Sequence, residues 1–186
     1  MIQDYKKPSL EQFRSSPSET EKYRHITAKY CDGCGVDVGS QGNPVVPWAI
    51  SFDQTIEKCD AYTCGKRYTV HLRGDCRALP FESDSLDFVY SSHLIEDFVF
   101  SDWTPIIKEW VRCLKPGGNL IVLVPEITLW NNAIKAGQPP NCSHKYEPVL
   151  GDVTKAALPC GVMVIEERLT DVYPLDYSII AVFKKL

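Results

Sequence analysis

Three apolar runs constrain this chain most. "VDV" (Val36–Val38), "LDFVYS" (Leu86–Ser91) and "LIVLVP" (Leu120–Pro125) are near-continuous rather than alternating. That is the pattern of strands buried on both faces. The strands expected are Cys34–Val38, Trp48–Phe52, Tyr68–Leu72, Leu86–Tyr90, Asn119–Val124, Val162–Arg168 and Ser178–Phe183. Between the fourth and fifth, Asp102–Leu114 reads as an amphipathic helix with Ile106, Ile107, Trp110, Val111 and Leu114 in one stripe, stopped by "KPGG" (Lys115–Gly118). Strands separated by helices imply crossovers and a mostly parallel sheet, an α/β class. The last two strands are joined only by "TDVYPLD". That is too short for a crossover, so they run antiparallel to each other.

At 186 residues with 44% hydrophobic and 24% charged content, the chain reads as one soluble globular domain spanning residues 1–186. Residues 1–30 form an N-terminal helical segment, with Ser18-Glu19-Thr20-Glu21 as a helix start. Residues 125–150 form a candidate substrate loop, Pro/Gly-rich in "IKAGQPPNCSH". The net charge of −4 argues against a non-specific nucleic-acid binder. "MIQDYKKPSL" has no signal-peptide core, and no stretch approaches the ~18 apolar residues of a membrane span. The expectation is therefore a cytoplasmic protein with no membrane span. Its eight cysteines are then reduced thiols. Cys31-x-x-Cys34 with Cys59-x4-Cys64 has the ligand types of a zinc site. Cys34 falls inside the first strand, however, and no zinc-knuckle turn follows Cys59, so no metal is expected.

In an open parallel sheet, ligands sit across the carboxyl ends of the central strands. Three polar tips meet there. The turn Gly39-Ser40-Gln41-Gly42 follows the first strand, and its glycines let backbone approach a ligand closely. Asp53 ends the second strand, where a carboxylate can accept both hydroxyls of a ribose. Asp75, in "RGDCRALPF", can accept from an adenine amino group, and a neighbouring backbone N–H can reach a ring nitrogen. Together they describe an adenosine-shaped ligand. A nicotinamide dinucleotide site would call for the full G-x-G-x-x-G, which is lacking.

"GVDVGSQGNP", "AISFD", "GDCRALPFESDSLDFVYSSHLIEDF", "VRCLKPGGNLIVLVP" and "DYSIIAVFKK" follow one another as in class I S-adenosylmethionine-dependent methyltransferases. The chain resembles the small type 11 methyltransferase domain over about residues 18–186. The resemblance implies a Rossmann-like three-layer sandwich, with a seven-stranded mostly parallel sheet and an antiparallel last strand. It implies S-adenosylmethionine as cofactor, with the methionine part on the glycine turn, the ribose on Asp53 and the adenine on Asp75. The cofactor-binding candidates are Asp37, Gly39, Ser40, Gln41, Gly42, Asp53, Gln54, Asp75, Cys76 and Ser91. Two departures stand out. The second glycine of the usual Gly-x-Gly turn is Gln41, and the usual His-x-Leu-Glu-His after the fourth strand ends on Asp97 as His93-Leu94-Ile95-Glu96-Asp97.

The sulfonium methyl is already activated, so transfer is an in-line displacement in which orientation supplies ~7–11 kcal/mol. A base is needed only when the nucleophile must lose a proton. His93 and His144 are the catalytic candidates, with His144 the better base because it lies in the loop after the fifth strand. "YSSHL" is not the Asp/Asn-Pro-Pro-Tyr/Phe motif of amino-group DNA methylation. The expected acceptor is therefore a small molecule or a sugar- or lipid-linked group. The competing reading is a non-catalytic or regulatory binder of the same cofactor, which Gln41 and Asp97 favour.

Overall fold

The computed structural model describes residues 19–54, 70–137, 140–170 and 176–186. Its strands are β1 Gly35–Val38, β2 Ile50–Asp53, β3 Leu72–Arg73, β4 Leu86–Ser92, β5 Leu114–Pro125, β6 Val162–Leu169 and β7 Ser178–Lys185. Its α-helices are α1 Glu19–Thr27, α2 Phe100–Cys113, α3 Ile127–Lys135 and α4 Asp152–Ala157. The seven strands form one sheet in the order β3-β2-β1-β4-β5-β7-β6. β1 pairs in parallel with both β2 and β4, and β5 continues that parallel run. β7 is antiparallel to both β5 and β6, as the short final connection requires.

Alternate residues of the central strands serve opposite faces, as the two-residue period dictates. On one face Val36, Val38, Val89, Leu120, Val122 and Val124 pack with Trp103, Ile106, Ile107 and Trp110 of α2 and with Val153, Ala156 and Ala157 of α4. On the other, Phe88, Tyr90, Ile121, Leu123, Ile180 and Val182 pack with Tyr23 of α1 and with Val45 and Val46. The result is three layers, helix–sheet–helix, around two cores.

Several boundaries move. The first helix is described from Glu19, so the Ser18 start lies outside the described residues, and so do Tyr68 and Thr69 of the expected Tyr68–Leu72 strand. β3 keeps only Leu72 and Arg73, both exposed at the sheet edge. The α2 stripe is as expected, but the helix ends at Cys113 and strand β5 begins at Leu114. "KPGG" does follow the end of the helix, and it forms the irregular start of β5, which begins ahead of the expected Asn119. β4 and β5 shift register between Leu86 and Phe88. A Cβ on Gly118 would lie 2.9 Å from Lys115 O and 3.1 Å from Asp87 O, closer than a side chain tolerates. The segment after β5 is not loop throughout either, because Ile127–Lys135 is helical. Glu126 caps that helix by accepting from Leu129 N at 2.8 Å. Asp84 and Asp87, near the start of β4, are tied to Lys185 and Lys115, each at 2.7 Å. They are surface ion pairs.

Trp110 joins these parts. It is fully buried, and its indole N–H donates to Cys76 O at 2.8 Å, tying α2 to the segment after β3. Trp110→Ala is expected to cost about 3–5 kcal/mol of unfolding free energy in urea, from the cavity and the stranded carbonyl together. Trp110→Phe should lose visibly less, and equal losses would show that the ring volume Phe retains contributes nothing and that the lost hydrogen bond and extra ring volume carry the whole effect.

Candidate functional site

The carboxyl ends of β1, β2 and β4 lie in register. Asp37 faces Ser51 across β2 and Tyr90 across β4, while Val38 faces Phe52 and Ser91. Gly39 and Ser40 leave β1 and donate back to Phe52 O at 2.9 and 3.4 Å. Gly39 has φ 81°, and a Cβ there would sit 2.9 Å from Leu94 Cδ2. The glycine is thus required both by conformation and by the close pass of the segment after β4. Gln41 has φ 49°, the left-handed region in which a non-glycine residue is strained. The missing second glycine therefore sits where a glycine would be easiest.

The turn keeps its donors to itself. Gln41 N–H donates to Asp53 Oδ2 at 2.8 Å, Gly42 N–H to Ser40 Oγ at 3.3 Å, and Asn43 N–H to Ser40 O at 2.8 Å. Ser40 Oγ also pairs with Ser51 Oγ at 2.6 Å. The turn's contribution to a ligand is its lack of side-chain bulk, not a row of free N–H groups. Asp53 Oδ1 accepts from Gln54 N at 2.7 Å, so both of its oxygens are oriented by backbone and a half-exposed carboxylate faces outward.

Arg24 of α1 secures this turn from beneath. Its Nε donates to Val45 O at 2.9 Å, and one terminal nitrogen donates to Asn43 Oδ1 at 3.0 Å and Pro44 O at 3.1 Å. The guanidinium is buried and lies within electrostatic reach of Asp37. Asp37 is itself buried. Its Oδ2 accepts from Val45 N at 2.6 Å, while Oδ1 accepts from no described residue. Burial holds this carboxyl well above the usual range, opposed by the Val45 hydrogen bond and Arg24. Sequence spacing gave no hint of Arg24, whose partners lie about 20 residues away on a different element.

The other cofactor candidates have partners that the sequence does not reveal. Asp75 is not at the strand tip but two residues beyond β3. Its carboxylate accepts from Arg77 N, Nε and Nη2 at 2.6–3.0 Å, and the guanidinium holds its pKa down. Arg77 also lies over the Phe98 ring, 5.9 Å from its centroid. Cys76 is half-buried against the α2 core, and burial pushes its thiol up to about 11. Ser91 is buried and its hydroxyl donates to Val38 O at 3.0 Å, so it locks β1 to β4. Gln54 is exposed.

The segment after β4 carries the second half of the site. His93 has φ 53° and donates its N–H to Leu123 O at 2.9 Å, which turns the chain at the β5 edge. Its Nε2 lies 2.9 Å from Ser178 Oγ, and its ring stands edge-on to Tyr177. Glu96 is fully buried, and neither carboxyl oxygen has a hydrogen-bond partner among the described residues. Oε1 lies 3.5 Å from His93 Nδ1 and 3.7 Å from His144 Nε2. The two histidines of the sequence reading, 51 positions apart in the numbering, thus meet at one carboxyl. His144 also tilts against Trp130 of α3, centroids 5.6 Å apart, and lines a cavity of about 670 Å³ with Ile127, Trp130, Asn131, Tyr146 and Glu147. Burial pushes His93 down to about 4, lowers His144, and raises Glu96 well above its ordinary range. Asp97, in the place of the family's histidine, is half-buried and raised to about 6.

Of the four cysteines weighed for zinc, Cys31 is buried and donates to Thr27 O, while Cys34 is exposed. Cys59 and Cys64 lie outside the described residues. Among the described residues no helix is long and apolar enough to cross a membrane.

Residues 48–122 match the family model described as "Methyltransferase domain". Solved structures share the fold. An S-adenosylmethionine-dependent methyltransferase from Mesorhizobium loti aligns with TM-score 0.64 at 14% identity, covering 90% of this chain and 98% of the other. One from Methanosarcina mazei aligns with TM-score 0.61 at 13% identity, covering 87% and 97%. One from Thermotoga maritima aligns with TM-score 0.64 at 15% identity, covering 91% and 90%. No curated protein matches the sequence. Over residues 48–122 the chain thus matches a methyltransferase domain, and as a whole it shares the fold of solved S-adenosylmethionine-dependent methyltransferases.

The buried His93 makes a pH test of this geometry. Unfolded, it titrates near 6.5; folded, near 4. Between those values the unfolded chain binds a proton that the native state refuses, so its contribution is fully present above pH 6.5 and is lost as pH falls towards 4. Against His93→Asn, which keeps a residue tolerant of positive φ, wild-type stability should fall by up to about 3 kcal/mol across that window. A stability difference that does not vary with pH would contradict the buried neutral imidazole.

Proposed function

We propose that this domain transfers the methyl group of S-adenosylmethionine to a small-molecule or sugar- or lipid-linked hydroxyl acceptor, held in the cavity between α3 and residues 140–148. One observation carries the reading. His144 lines that cavity and also reaches back to the segment after β4, at the sheet edge where the cofactor belongs.

The cofactor fits the first half of the site. A ligand with a sulfonium and an ammonium suits an edge bearing Asp53 and Asp75. Asp53, with its oxygens fixed by Gln41 and Gln54, is placed to accept the ribose hydroxyls. The Gly39–Gly42 turn leaves room for the methionine part, and Asp75 with Cys76 is the adenine candidate. For adenine to use the Asp75 carboxylate, it must share it with Arg77. When bound, the cofactor supplies an electrophilic methyl on a cationic sulfur.

The chain's own residues have the remaining work of holding and deprotonating the acceptor. Trp130 and Tyr146 give the cavity flat apolar surface, and Asn131, Asn141 and Glu147 give it polar contacts, a mixture suited to a hydroxylated acceptor. His144, neutral at pH 7, can take the acceptor's proton. His93, pushed down to about 4, is too weak a base for that task and serves better as a fixed wall. The net charge of −4 argues against a non-specific nucleic-acid partner. Binding without turnover is the second reading, favoured by the strained Gln41; it would show as calorimetric binding with no methyl transfer to any hydroxyl acceptor.

Two measurements test the halves separately. Asp53→Ala should weaken calorimetric binding of S-adenosylmethionine by about 1.5–3 kcal/mol, the range for hydrogen bonds to a charged group. Unchanged affinity would remove Asp53 from the ribose. His144→Ala should lower turnover on a hydroxyl acceptor by about 10²-fold or more and leave cofactor affinity intact. Full turnover would reduce catalysis to orientation alone, and loss of cofactor binding would move the loop.

A further inference from the structure

Glu96 is a carboxyl that folding has buried with only its own backbone N–H to favour the charged form. Neither oxygen has a hydrogen-bond partner among the described residues, and the side chain is fully shielded. Leaving a buried acceptor unsatisfied costs about 1–3 kcal/mol, more for a charged one. Such groups ask for an explanation beyond packing. The surroundings give one. Two imidazole nitrogens, His93 Nδ1 at 3.5 Å and His144 Nε2 at 3.7 Å, approach the same oxygen, Oε1.

The arrangement is held from the backbone. Glu96 O accepts from Lys145 N at 2.9 Å and from Tyr146 N at 3.2 Å, so the chain bearing His144 is hydrogen-bonded to the turn bearing Glu96. On the far side, Ser178 Oγ lies 2.9 Å from His93 Nε2 and fixes that ring. Glu96 does not line the cavity; His144 does. Any effect of Glu96 on an acceptor therefore passes through His144.

We propose that Glu96 is a positioning residue that joins His93 and His144 into one proton-sharing group and holds His144 for proton uptake from a hydroxyl-bearing acceptor. The inference rests on the reading that His144 faces the acceptor. The balance closes within the site. The acceptor's O–H bond breaks and its proton goes to His144. An O–C bond forms as the methyl's C–S bond breaks, leaving a neutral thioether and a methyl ether. The positive charge that leaves sulfur reappears on the imidazole, and a carboxyl behind that ring lowers the cost of placing it there. Return of the proton to water resets the group.

Other charges face this cluster and set its background. Glu19 of α1 lies 3.8 Å from His93 Nε2, and Lys22 and Asp176 act on the same ring. Asp97 and Glu19 oppose ionisation of Glu96. Glu147 favours the charged form of His144, and Lys145 favours that of Asp97. Strongly interacting groups titrate as a set, with apparent values belonging to the set rather than to one residue.

The test uses the apo protein and needs no acceptor, so it stands apart from the calorimetry and turnover measurements above. Histidine nitrogen-15 spectra are followed through a pH titration, with His25 and His71 as internal controls. In wild type, His93 and His144 should each show two inflections, the second at a pH shared with the Glu96 carboxyl carbon-13 signal. In Glu96→Gln, similar in shape but unable to lose a proton, that second inflection should vanish from both rings, while Glu96→Asp should retain it. A single inflection for wild-type His144, a Glu96 signal inflecting at a different pH, or identical curves in wild type and Glu96→Gln would each overturn the proposal. The wild-type curves decide the matter alone if neither variant folds.

Discussion

The parallel pairing of β1 with β2 on one side and β4 on the other is the constraint on which the rest depends. Every hydrogen-bonding edge of β1 is taken, and its four residues are buried. A strand so enclosed cannot slip by one residue without turning Asp37 from its partners and exposing Val36 and Val38. Parallel register also sends the carboxyl ends of all three strands to the same edge. Asp53, the Gly39–Gly42 turn and the Ser92–Asp97 segment converge there because the sheet leaves them no other direction. Ser91 reinforces the convergence by bonding to Val38 O, and Leu94 fills the space that Gly39 leaves.

The elements read best from sequence were those whose pattern is local. The apolar runs of β1, β4 and β5 and the stripe of α2 carry their burial in their own residues. The antiparallel ending followed from the length of a single connection. The failures also have local causes. "KPGG" carries the residues of a helix stop and a turn, yet β4 was free to pair with Leu114 and take the segment into β5 through a shifted register. In the segment after β5, Pro and Gly signals at residues 137–140 concealed the helix Ile127–Lys135, whose face is completed by Tyr177, just before β7.

At the site, the candidate residues were legible as types and places but not as partners. Asp53 reads as an acceptor at a strand tip, and the structure orients both of its oxygens. Asp75 reads the same way, yet its own turn returns Arg77 to it. Gln41 was flagged by its departure from glycine, and its positive φ gives that departure a physical meaning. Arg24 and Glu96 went unnoticed because each takes its significance from residues far along the chain. A lone arginine on a short helix, or a lone glutamate in "HLIED", reads as surface until the fold buries it.

Burial alone does not distinguish the two most enclosed carboxyls, Asp37 and Glu96; their surroundings do. Asp37 has one oxygen fixed by Val45 N–H, and the Arg24 guanidinium stands within reach to offset its charge. Removing either partner would loosen the turn that both sustain, so its role is accounted for by structure. Glu96 has only its own backbone N–H to offset its charge, with no cation beside it among the described residues. Its neighbours are two imidazoles that burial keeps neutral and two further carboxyls, Glu19 and Asp97, that oppose its ionisation. A group meant only to bind elements together would be cheaper as an apolar side chain of similar volume. The difference between a compensated and a poorly compensated carboxyl, on the same sheet edge, fits the first to the scaffold and supports the positioning role proposed for the second.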